Sequence, residues 1–282
     1  MDFFKAKSFA KINLSLNVIK KLPQNYHKIQ SIISFINLYD LIYLKTVKTK
    51  KHKVSFNGKF SRGLKKNNSI IKLLNILDKK KLLNNKKFKI KITKNIPQKS
   101  GMGGGSMNAS TILNTLIKKK IIKVNENQIN SISNAISSDV ILGIHSNKKI
   151  IKSEYSVVKK LTKLPYYVVL TKPNFGCSTK LIYTNYKFIK VRSEPAKNSL
   201  YTSKLKLPYQ DNDLEGPAFK KYPKLGDLKL FISKLPKVYF ARMTGSGSVI
   251  AAYFLSKNEA IIAKKLIKRK YKNYWCIISK TI

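Results

Sequence analysis

The chain has 282 residues, of which 43% are hydrophobic and 10% aromatic, as in a folded globular protein of one large or two ordinary domains. It has no run of 18 apolar residues and no N-terminal signal peptide, so the sequence predicts neither a membrane span nor secretion. Its two cysteines, Cys177 and Cys276, are too few and too distant for a disulfide framework or a cysteine zinc site, which favours a cytoplasmic protein.

The net charge of +46 permits two interpretations. An excess of this size is typical of proteins that bind nucleic acid or an anionic membrane. Only four of the 58 basic residues are arginine, however, and arginine is the residue favoured for bidentate phosphate contacts. Lysine is instead spread along the whole chain beside asparagine and isoleucine, as a drift of composition at solvent-facing positions would produce. The charge alone leaves both interpretations open.

The first hundred residues predict strands, a turn and a helix. Residues 8–20 alternate apolar and polar side chains, which predicts a half-buried strand, and residues 26–44 predict a second one. Asn57-Gly58 is a hairpin signal. Asn67-Asn68-Ser69 then caps a predicted helix with an apolar face formed by Ile70, Leu73, Leu74 and Leu77.

The middle of the chain predicts a strand followed by two helices. Residues 88–96 alternate again, and a helix is expected over residues 109–122. Asn125, with Gln128 three residues later, predicts a capping box that opens a helix over residues 125–136.

The second half begins with a predicted strand at residues 166–173 and continues through a looser, proline-containing stretch. A helix near residues 224–235, a strand–turn–strand at 238–254, a helix at 258–270 and a final strand at 274–279 follow. The pattern predicts two α+β domains, residues 1–152 and residues 153–282.

A glycine cluster lies between the predicted strand at 88–96 and the helix after it, in the sequence IPQKSGMGGGSMNAS (residues 96–110). Strand, glycine-rich turn and helix is the layout of a phosphate-binding loop. A P-loop is excluded because Gly105 is followed by Ser106-Met107, and a dinucleotide fingerprint because Ser106 stands at its last glycine position. The cluster alone still permits a flexible turn without a ligand.

Two further segments accompany the cluster, AKINLSLNV near the start and ARMTGSGSVIAAYF near the end, together with NYHKIQS, SSDV and NDLEGPA. In this order the segments make the chain similar, over nearly its full length, to the GHMP small-molecule kinases. It resembles most closely the branch that phosphorylates the 2-hydroxyl of a cytidine diphosphate-linked methylerythritol in the non-mevalonate isoprenoid route. The resemblance implies a two-domain α+β fold, with a ribosomal-protein-like N-terminal domain and a ferredoxin-like C-terminal domain.

The resemblance also implies a set of site residues. Asp139 is expected to be the general base that accepts the hydroxyl proton, assisted by Lys11. Asn13 is expected to contact the substrate diphosphate, and Tyr26, His27 and Tyr183 to hold the cytosine. The expected ATP-binding residues are Pro97, Gln98, Lys99, Ser100, Gly101, Met102, Gly103, Gly104, Gly105, Ser106, Asn68 and Lys94.

Magnesium is expected to arrive with ATP, and its protein ligand stays unknown, with Ser106 as a candidate. The sequence departs from the family pattern at Gln98–Gly101, where more glycines are common, and at Ile141, where a proline is common. A different GHMP alcohol kinase and a basic RNA-binding protein are the alternatives. The scarcity of arginine speaks against RNA, and the Tyr26-His27 pair against other alcohols. A monomer and a homodimer are equally open.

Overall fold

The computed structural model describes residues 3–23, 27–64, 67–144, 150–152, 156–160, 166–186 and 204–282. The strands are β1 (Phe4–Lys21), β2 (His27–Val47), β3 (Lys53–Asn57), β4 (Lys87–Thr93), β5 (Ile150–Lys152), β6 (Ser156–Lys160), β7 (Tyr167–Lys172), β8 (Phe240–Met243), β9 (Ile250–Phe254) and β10 (Trp275–Lys280). The helices are α1 (Ser69–Lys79), α2 (Gly104–Lys118), α3 (Glu126–Ile136), α4 (Val140–Ile144), α5 (Thr179–Thr184), α6 (Glu215–Lys221), α7 (Pro223–Ser233) and α8 (Lys257–Lys270). Within the described ranges, no helix combines the length and the apolar character needed to cross a membrane.

The chain forms two compact units whose segments alternate along the sequence. The first unit consists of Met1–Ala10, Leu38–Gln98 and Gly103–Lys148, and the second of Lys11–Asn37, Lys99–Met102 and Lys149–Ile282. Strands β1 and β2 therefore contribute residues to both units. The predicted domains divide the chain once, at residue 152, whereas each compact unit is made of three separate segments. The domain boundaries therefore stay a prediction.

The sheet of the first unit is built on β4, which pairs antiparallel with residues 41–47 of β2 and parallel with β3. The predicted hairpin at Asn57-Gly58 is therefore wrong. Gly58 has a φ of 88°, and a Cβ there would lie 2.9 Å from the backbone nitrogen and oxygen of Lys94. The turn packs against the end of β4, and the parallel partner of β3 is reached only after α1.

Helices α1 and α3 of the first unit follow the sequence signals closely. Asn68 caps α1, whose buried side chains are the four predicted ones, Ile70, Leu73, Leu74 and Leu77. Helix α3 opens with the predicted capping box, in which Asn125 and Gln128 satisfy each other's backbone N–H groups. These apolar faces, with those of α2 and β4, form one buried core.

The second unit contains a four-stranded antiparallel sheet in the order β10-β7-β9-β8. Helices α5 to α7 lie between β7 and β8 in the chain, and α8 lies between β9 and β10. This is the β-α-β-β-α-β arrangement of a ferredoxin-like domain. In the same unit β6 pairs parallel with residues 29–33 of β2.

Candidate active site

The start of α2 in the first unit is formed by the glycine cluster itself. The helix begins at Gly104, so the predicted start at residue 109 is wrong by five residues. Gly103 is the N-cap, with a left-handed φ of 68° and no side-chain hydrogen bond to the first turn. The first N–H groups of a helix have no partner within the helix, and the positive end of the helix dipole lies there. An uncapped, glycine-lined helix start of this kind suits an anion.

A buried carboxylate fixes the chain segment that leads into this loop. Asp40 on β2 is fully buried, and its Oδ1 accepts hydrogen bonds from the backbone N–H groups of Asn95 (2.7 Å) and Ile96 (2.9 Å). Its Oδ2 accepts from the ammonium of Lys94 and, at 3.0 Å, from Nδ2 of Asn108 on α2. In the sequence, all four donor residues lie between the end of β4 and the second turn of α2.

The Lys94 ammonium lies under the first turn of α2. A Cβ built on Gly104 would stand 3.5 Å from Lys94 Nζ and 3.1 Å from Cγ2 of Ile96. Lys94 is 4% exposed, and Asp40 neutralises its charge. The structure therefore places this predicted ATP-binding residue next to the helix start, in a buried ion pair.

Two other predicted ATP-binding side chains make hydrogen bonds within the first unit. Asn68 Oδ1 accepts from the N–H groups of Ile70 (3.0 Å) and Ile71 (3.2 Å), as a helix cap does. Gln98 Nε2 donates to the carbonyl oxygens of Phe60 and Arg62, at 2.8 Å each. Gln98 thus holds the loop after β3, and Asn68 organises α1.

Asp139 lies in the turn between α3 and α4 and is half-buried. Two residues before it, Ser137 Oγ is 2.7 Å from Ser106 Oγ in the first turn of α2. The structure thus brings the predicted metal candidate Ser106 to the turn that carries Asp139. Because Lys11 belongs to the second unit and Asp139 to the first, their pairing stays a prediction.

Lys11 and Asn13 lie side by side on β1 in the second unit, both buried (5% and 3% exposed). Lys11 Nζ donates to Asn13 Oδ1 at 2.8 Å, and Asn13 Nδ2 donates to Ser31 Oγ at 2.8 Å. The backbone N–H of Lys11 donates to the carbonyl of Met102 at 3.2 Å. The predicted catalytic lysine and the predicted diphosphate contact therefore share one hydrogen-bond network.

The first part of the glycine cluster, residues 99–102, packs on the turn between β8 and β9. The N–H groups of Ser248 and Val249 donate to the carbonyls of Lys99 (3.2 Å) and Ser100 (3.3 Å). Gly101 has a φ of 76°, and a Cβ there would lie 1.8 Å from the carbonyl oxygen of Thr244. Glycine is required at position 101 by this contact and by its left-handed backbone.

Asn212, which is 3% exposed, forms hydrogen bonds to the turn after β8. Its Nδ2 donates to the carbonyls of Met243 and Gly245, at 2.8 Å each, and its Oδ1 accepts from the N–H of Leu214 at 3.0 Å. Every polar atom of this amide therefore serves the backbone, so the NDLEGPA segment acts here as a support for the turn.

The two described residues of the predicted cytosine site are close together. The rings of His27 and Tyr183 are 4.9 Å apart between centroids and tilted by 36°. His27 opens β2 and Tyr183 lies on α5, 156 positions apart in the chain by their numbers. Tyr26 lies outside the described residues.

Cys177 lies beside the turn between β8 and β9, where a Cβ on Gly247 would stand 3.2 Å from its Sγ. Burial raises the pKa of the Cys177 thiol to about 11, with the nearby Lys172 ammonium acting in the opposite direction. Burial also lowers the pKa of Lys172, whose Nζ donates to the carbonyls of Pro173 (3.0 Å) and Phe175 (2.6 Å). Cys177 is thus a protonated, apolar neighbour of the turn at neutral pH.

No group of three or more histidine, cysteine, aspartate or glutamate side chains in the described part of the chain could hold a metal ion. Magnesium in phosphoryl-transfer sites is commonly held by one or two carboxylates and the substrate phosphates, with water completing the shell. A half-buried Asp139 and the nearby Ser106 hydroxyl fit that arrangement and do not fit a cage made of protein ligands alone.

The sequence did not identify Asp40, Thr244 or Asn212 as contributors to the site. Asp40 carried a weak signal, since it is one of only 12 acidic residues and is flanked by the apolar residues of a strand. Thr244 and Asn212 lie in segments that the resemblance uses, but their contacts join positions far apart in the chain and leave no local pattern.

Comparison with known proteins places the chain among kinases. Residues 68–147 match the model of the GHMP kinases N terminal domain. The chain is 51% identical, over the full length of both proteins, to the 4-diphosphocytidyl-2-C-methyl-D-erythritol kinase of Pelagibacter ubique (strain HTCC1062). A crystal structure of 4-(cytidine 5'-diphospho)-2C-methyl-D-erythritol kinase is similar with a TM-score of 0.74 and 22% identity, over 98% of this chain and 99% of that one. A homoserine kinase from Cytophaga hutchinsonii is similar with a TM-score of 0.69 and 16% identity, over 100% and 95%.

Proposed function

Because the chain belongs to the 4-diphosphocytidyl-2-C-methyl-D-erythritol kinase family, we propose that it transfers the γ-phosphoryl group of ATP to the 2-hydroxyl of that cytidine-linked alcohol, in the non-mevalonate isoprenoid route. Family membership confirms the predicted two-domain α+β GHMP kinase fold and makes the chain an ATP-dependent small-molecule kinase. A basic RNA-binding protein is therefore not proposed. The cytoplasmic location predicted from the cysteines belongs to the same proposal.

The uncapped start of α2 is the observation that carries the ATP part of the proposal. Left-handed Gly103 turns the chain into the helix, and as the N-cap it has no side chain that could accept from the donors of the first turn. Gly105 is exposed and has no side chain of its own, so a phosphate can approach its backbone N–H. We assign Gly103 to Ser106 to the triphosphate on this ground, with residues 97–102 shaping the entry to the loop.

The chemical step needs a proton acceptor and a positive charge. The bond from the γ-phosphorus to the bridging oxygen of ADP breaks as the substrate oxygen bonds to phosphorus, and the hydroxyl proton passes to the Asp139 carboxylate. We propose that the Lys11 ammonium, held by Asn13 Oδ1 at 2.8 Å, stabilises the charge that develops on the transferring group. Magnesium would be held by the triphosphate, with Ser106 as the candidate protein ligand, and would supply further positive charge when bound.

The aromatic pair supports the cytidine part of the proposal. The ring centroids of His27 and Tyr183 are 4.9 Å apart, which is too close to admit a base between the rings. Cytosine would therefore stack on the outer face of one ring, after a small rotation of that ring. Asn13 would meet the diphosphate through Nδ2, in exchange for its hydrogen bond to Ser31 Oγ, while Oδ1 accepts from Lys11. Tyr26 belongs to this site by the family pattern.

A competition assay tests the proposed substrate. The purified chain is given ATP with the cytidine-linked alcohol, homoserine and mevalonate, first singly and then together, and kcat/KM is measured for each. We expect the cytidine-linked alcohol to be preferred by at least about 10⁴-fold, since a site built to hydrogen-bond a polar group discriminates strongly against analogues that lack it. A higher kcat/KM for homoserine or mevalonate would assign the chain to another GHMP alcohol kinase.

A further inference from the structure

We infer that Thr244 is a positioning residue whose hydroxyl couples the binding of ATP to the binding of the alcohol substrate. The inference rests on the proposed function, because it takes the glycine cluster as the ATP loop and Asn13 as a contact of the second substrate. Thr244 follows β8 directly and is fully buried. Its hydroxyl's hydrogen-bond partners, Asn13 and Gly101, belong to the second unit, as Thr244 does.

The Thr244 hydroxyl stands between the two binding elements. Its Oγ1 accepts a hydrogen bond from the backbone N–H of Asn13 at 3.0 Å. The hydroxyl proton has two acceptors within reach, Asn13 Oδ1 at 3.5 Å and the carbonyl oxygen of Gly101 at 3.3 Å. One hydroxyl therefore joins β1 to the glycine cluster, and its single proton is shared between a residue of each.

Backbone packing makes this junction stiff. A Cβ on Gly101 would overlap the Thr244 carbonyl oxygen at 1.8 Å, and a Cβ on Gly245 would lie 3.0 Å from the Gly101 carbonyl oxygen and 3.4 Å from Asn13 Oδ1. Asn212 fixes the carbonyls on either side of Thr244. A movement of the loop at Gly101 is therefore transmitted to Thr244 and on to Asn13.

The shared proton gives the coupling its direction. When the substrate diphosphate accepts from Asn13 Nδ2 and the amide turns toward it, Asn13 Oδ1 moves out of reach of the Thr244 hydroxyl. The Thr244 proton then goes to the Gly101 carbonyl, which orders the loop before ATP arrives. The same exchange operates in reverse when ATP orders the loop first. The second ligand then binds to a loop that the first ligand has already ordered, so it loses less conformational entropy on binding. Each ligand therefore raises the affinity for the other. By linkage the two enhancements are equal.

Calorimetric titration measures this coupling directly. The dissociation constant of the β,γ-imido analogue of ATP is measured with magnesium, with and without saturating cytidine-linked alcohol, and the reciprocal titration is done in the same way. We expect each ligand to tighten the other by about 5-fold or more, within the range usual for coupled sites. Thr244→Val should reduce the factor to about 1, whereas Thr244→Ser, which keeps the hydroxyl, should retain it.

Thr171→Val is the matched control, because Thr171 is a fully buried threonine of the same unit whose hydroxyl contacts Cys276 Sγ at 3.5 Å, away from the loop. It should keep the wild-type factor. If Thr244→Val does not stay folded in a thermal melt, Thr244→Ala is the second variant without the hydroxyl. Coupling that survives in either hydroxyl-free variant, or that is absent from the wild type, would overturn the inference. If the cytidine-linked alcohol does not bind at all, the proposed function fails instead.

Discussion

Asp40→Asn offers a quantitative test of how the loop is supported. The substitution keeps the shape of the side chain and one oxygen that can accept from the N–H groups of Asn95 and Ile96. It removes the negative charge that faces Lys94, which is only 4% exposed. Breaking a buried ion pair from one side costs about 3–5 kcal/mol, because the remaining charge stays buried and uncompensated. For a protein of this size about 1 kcal/mol lowers Tm by 2–4 °C, so we expect a fall of about 6–20 °C.

Two further variants separate this explanation from a general loss of stability. Asp78 also binds a lysine, with Lys87 Nζ 2.9 Å from both of its oxygens, but it is 32% exposed. Asp78→Asn should therefore cost about 1 kcal/mol or less. The double variant Asp40→Asn/Lys94→Met removes both buried charges and should recover at least half of the stability that Asp40→Asn loses.

Urea unfolding followed by circular dichroism gives the free energy of unfolding of Asp40→Asn, Asp78→Asn and the double variant. Equilibrium binding of an ATP analogue gives the ATP affinity per folded molecule. We expect ATP affinity to fall in Asp40→Asn, because the 94–96 segment that leads into the loop loses its anchor. An Asp40→Asn variant as stable as Asp78→Asn, or a double variant no more stable than the single one, would refute the reasoning about the buried pair.

Three other predictions concern the second unit and its loop. Gly101→Ala should destabilise the protein by about 3 kcal/mol or more in urea unfolding, since the new Cβ would displace the Thr244 carbonyl. Gly63, the control, has a similar φ of 73° but no atom within 4 Å of a Cβ, so Gly63→Ala should cost only about 1 kcal/mol. Equal costs for the two variants would show that the contact with Thr244 is unimportant. Tyr183→Ala should raise KM for the cytidine-linked alcohol by about 5- to 150-fold, the worth of a base stack of roughly 1–3 kcal/mol, and leave KM for ATP unchanged; the reverse result would exchange the two binding roles. Because burial raises the pKa of Cys177 to about 11, iodoacetamide at pH 8 should alkylate it at least 10-fold more slowly in native than in unfolded protein, and equal rates would contradict the burial.

Short-range signals were the part of the fold that the sequence could predict. The capping box of α3 and the Asn68 cap of α1 depend on residues two or three apart, and both helices appear where they were expected. The parallel pairing of β3 with β4 was missed, because a hairpin signal at Gly58 describes only the turn and not the strand that lies beside it. The start of α2 was missed because glycine has low helix propensity, while in the structure the packing of Met107 to Leu116 holds the helix in place.

For the candidate site as well, long-range contacts could not be predicted from the sequence. Motif order predicts the loop, Lys11 and Asn13 as site residues, and the structure brings Lys11 and Asn13 within hydrogen-bond distance. Asp40 could not be assigned a role, since its four donors come from residues 94 to 108, and a strand sequence does not reveal what its buried face will meet. Thr244 belongs to a motif, but only the fold shows that its hydroxyl reaches Asn13 on β1, 231 positions away in the chain.

The most direct test of the proposed chemistry is the single-turnover rate of phosphoryl transfer from ATP to the cytidine-linked alcohol by the Asp139→Asn variant. The amide keeps the size of the carboxylate but cannot accept the hydroxyl proton, so both substrates should bind with affinities within about threefold of wild type. We expect the transfer step to slow by about 10²–10⁴-fold, the usual contribution of a positioned base. A loose transition state relies chiefly on positioning and charge, which favours the lower end of that range. Transfer at a near-normal rate by Asp139→Asn would contradict the assignment of Asp139 as the base.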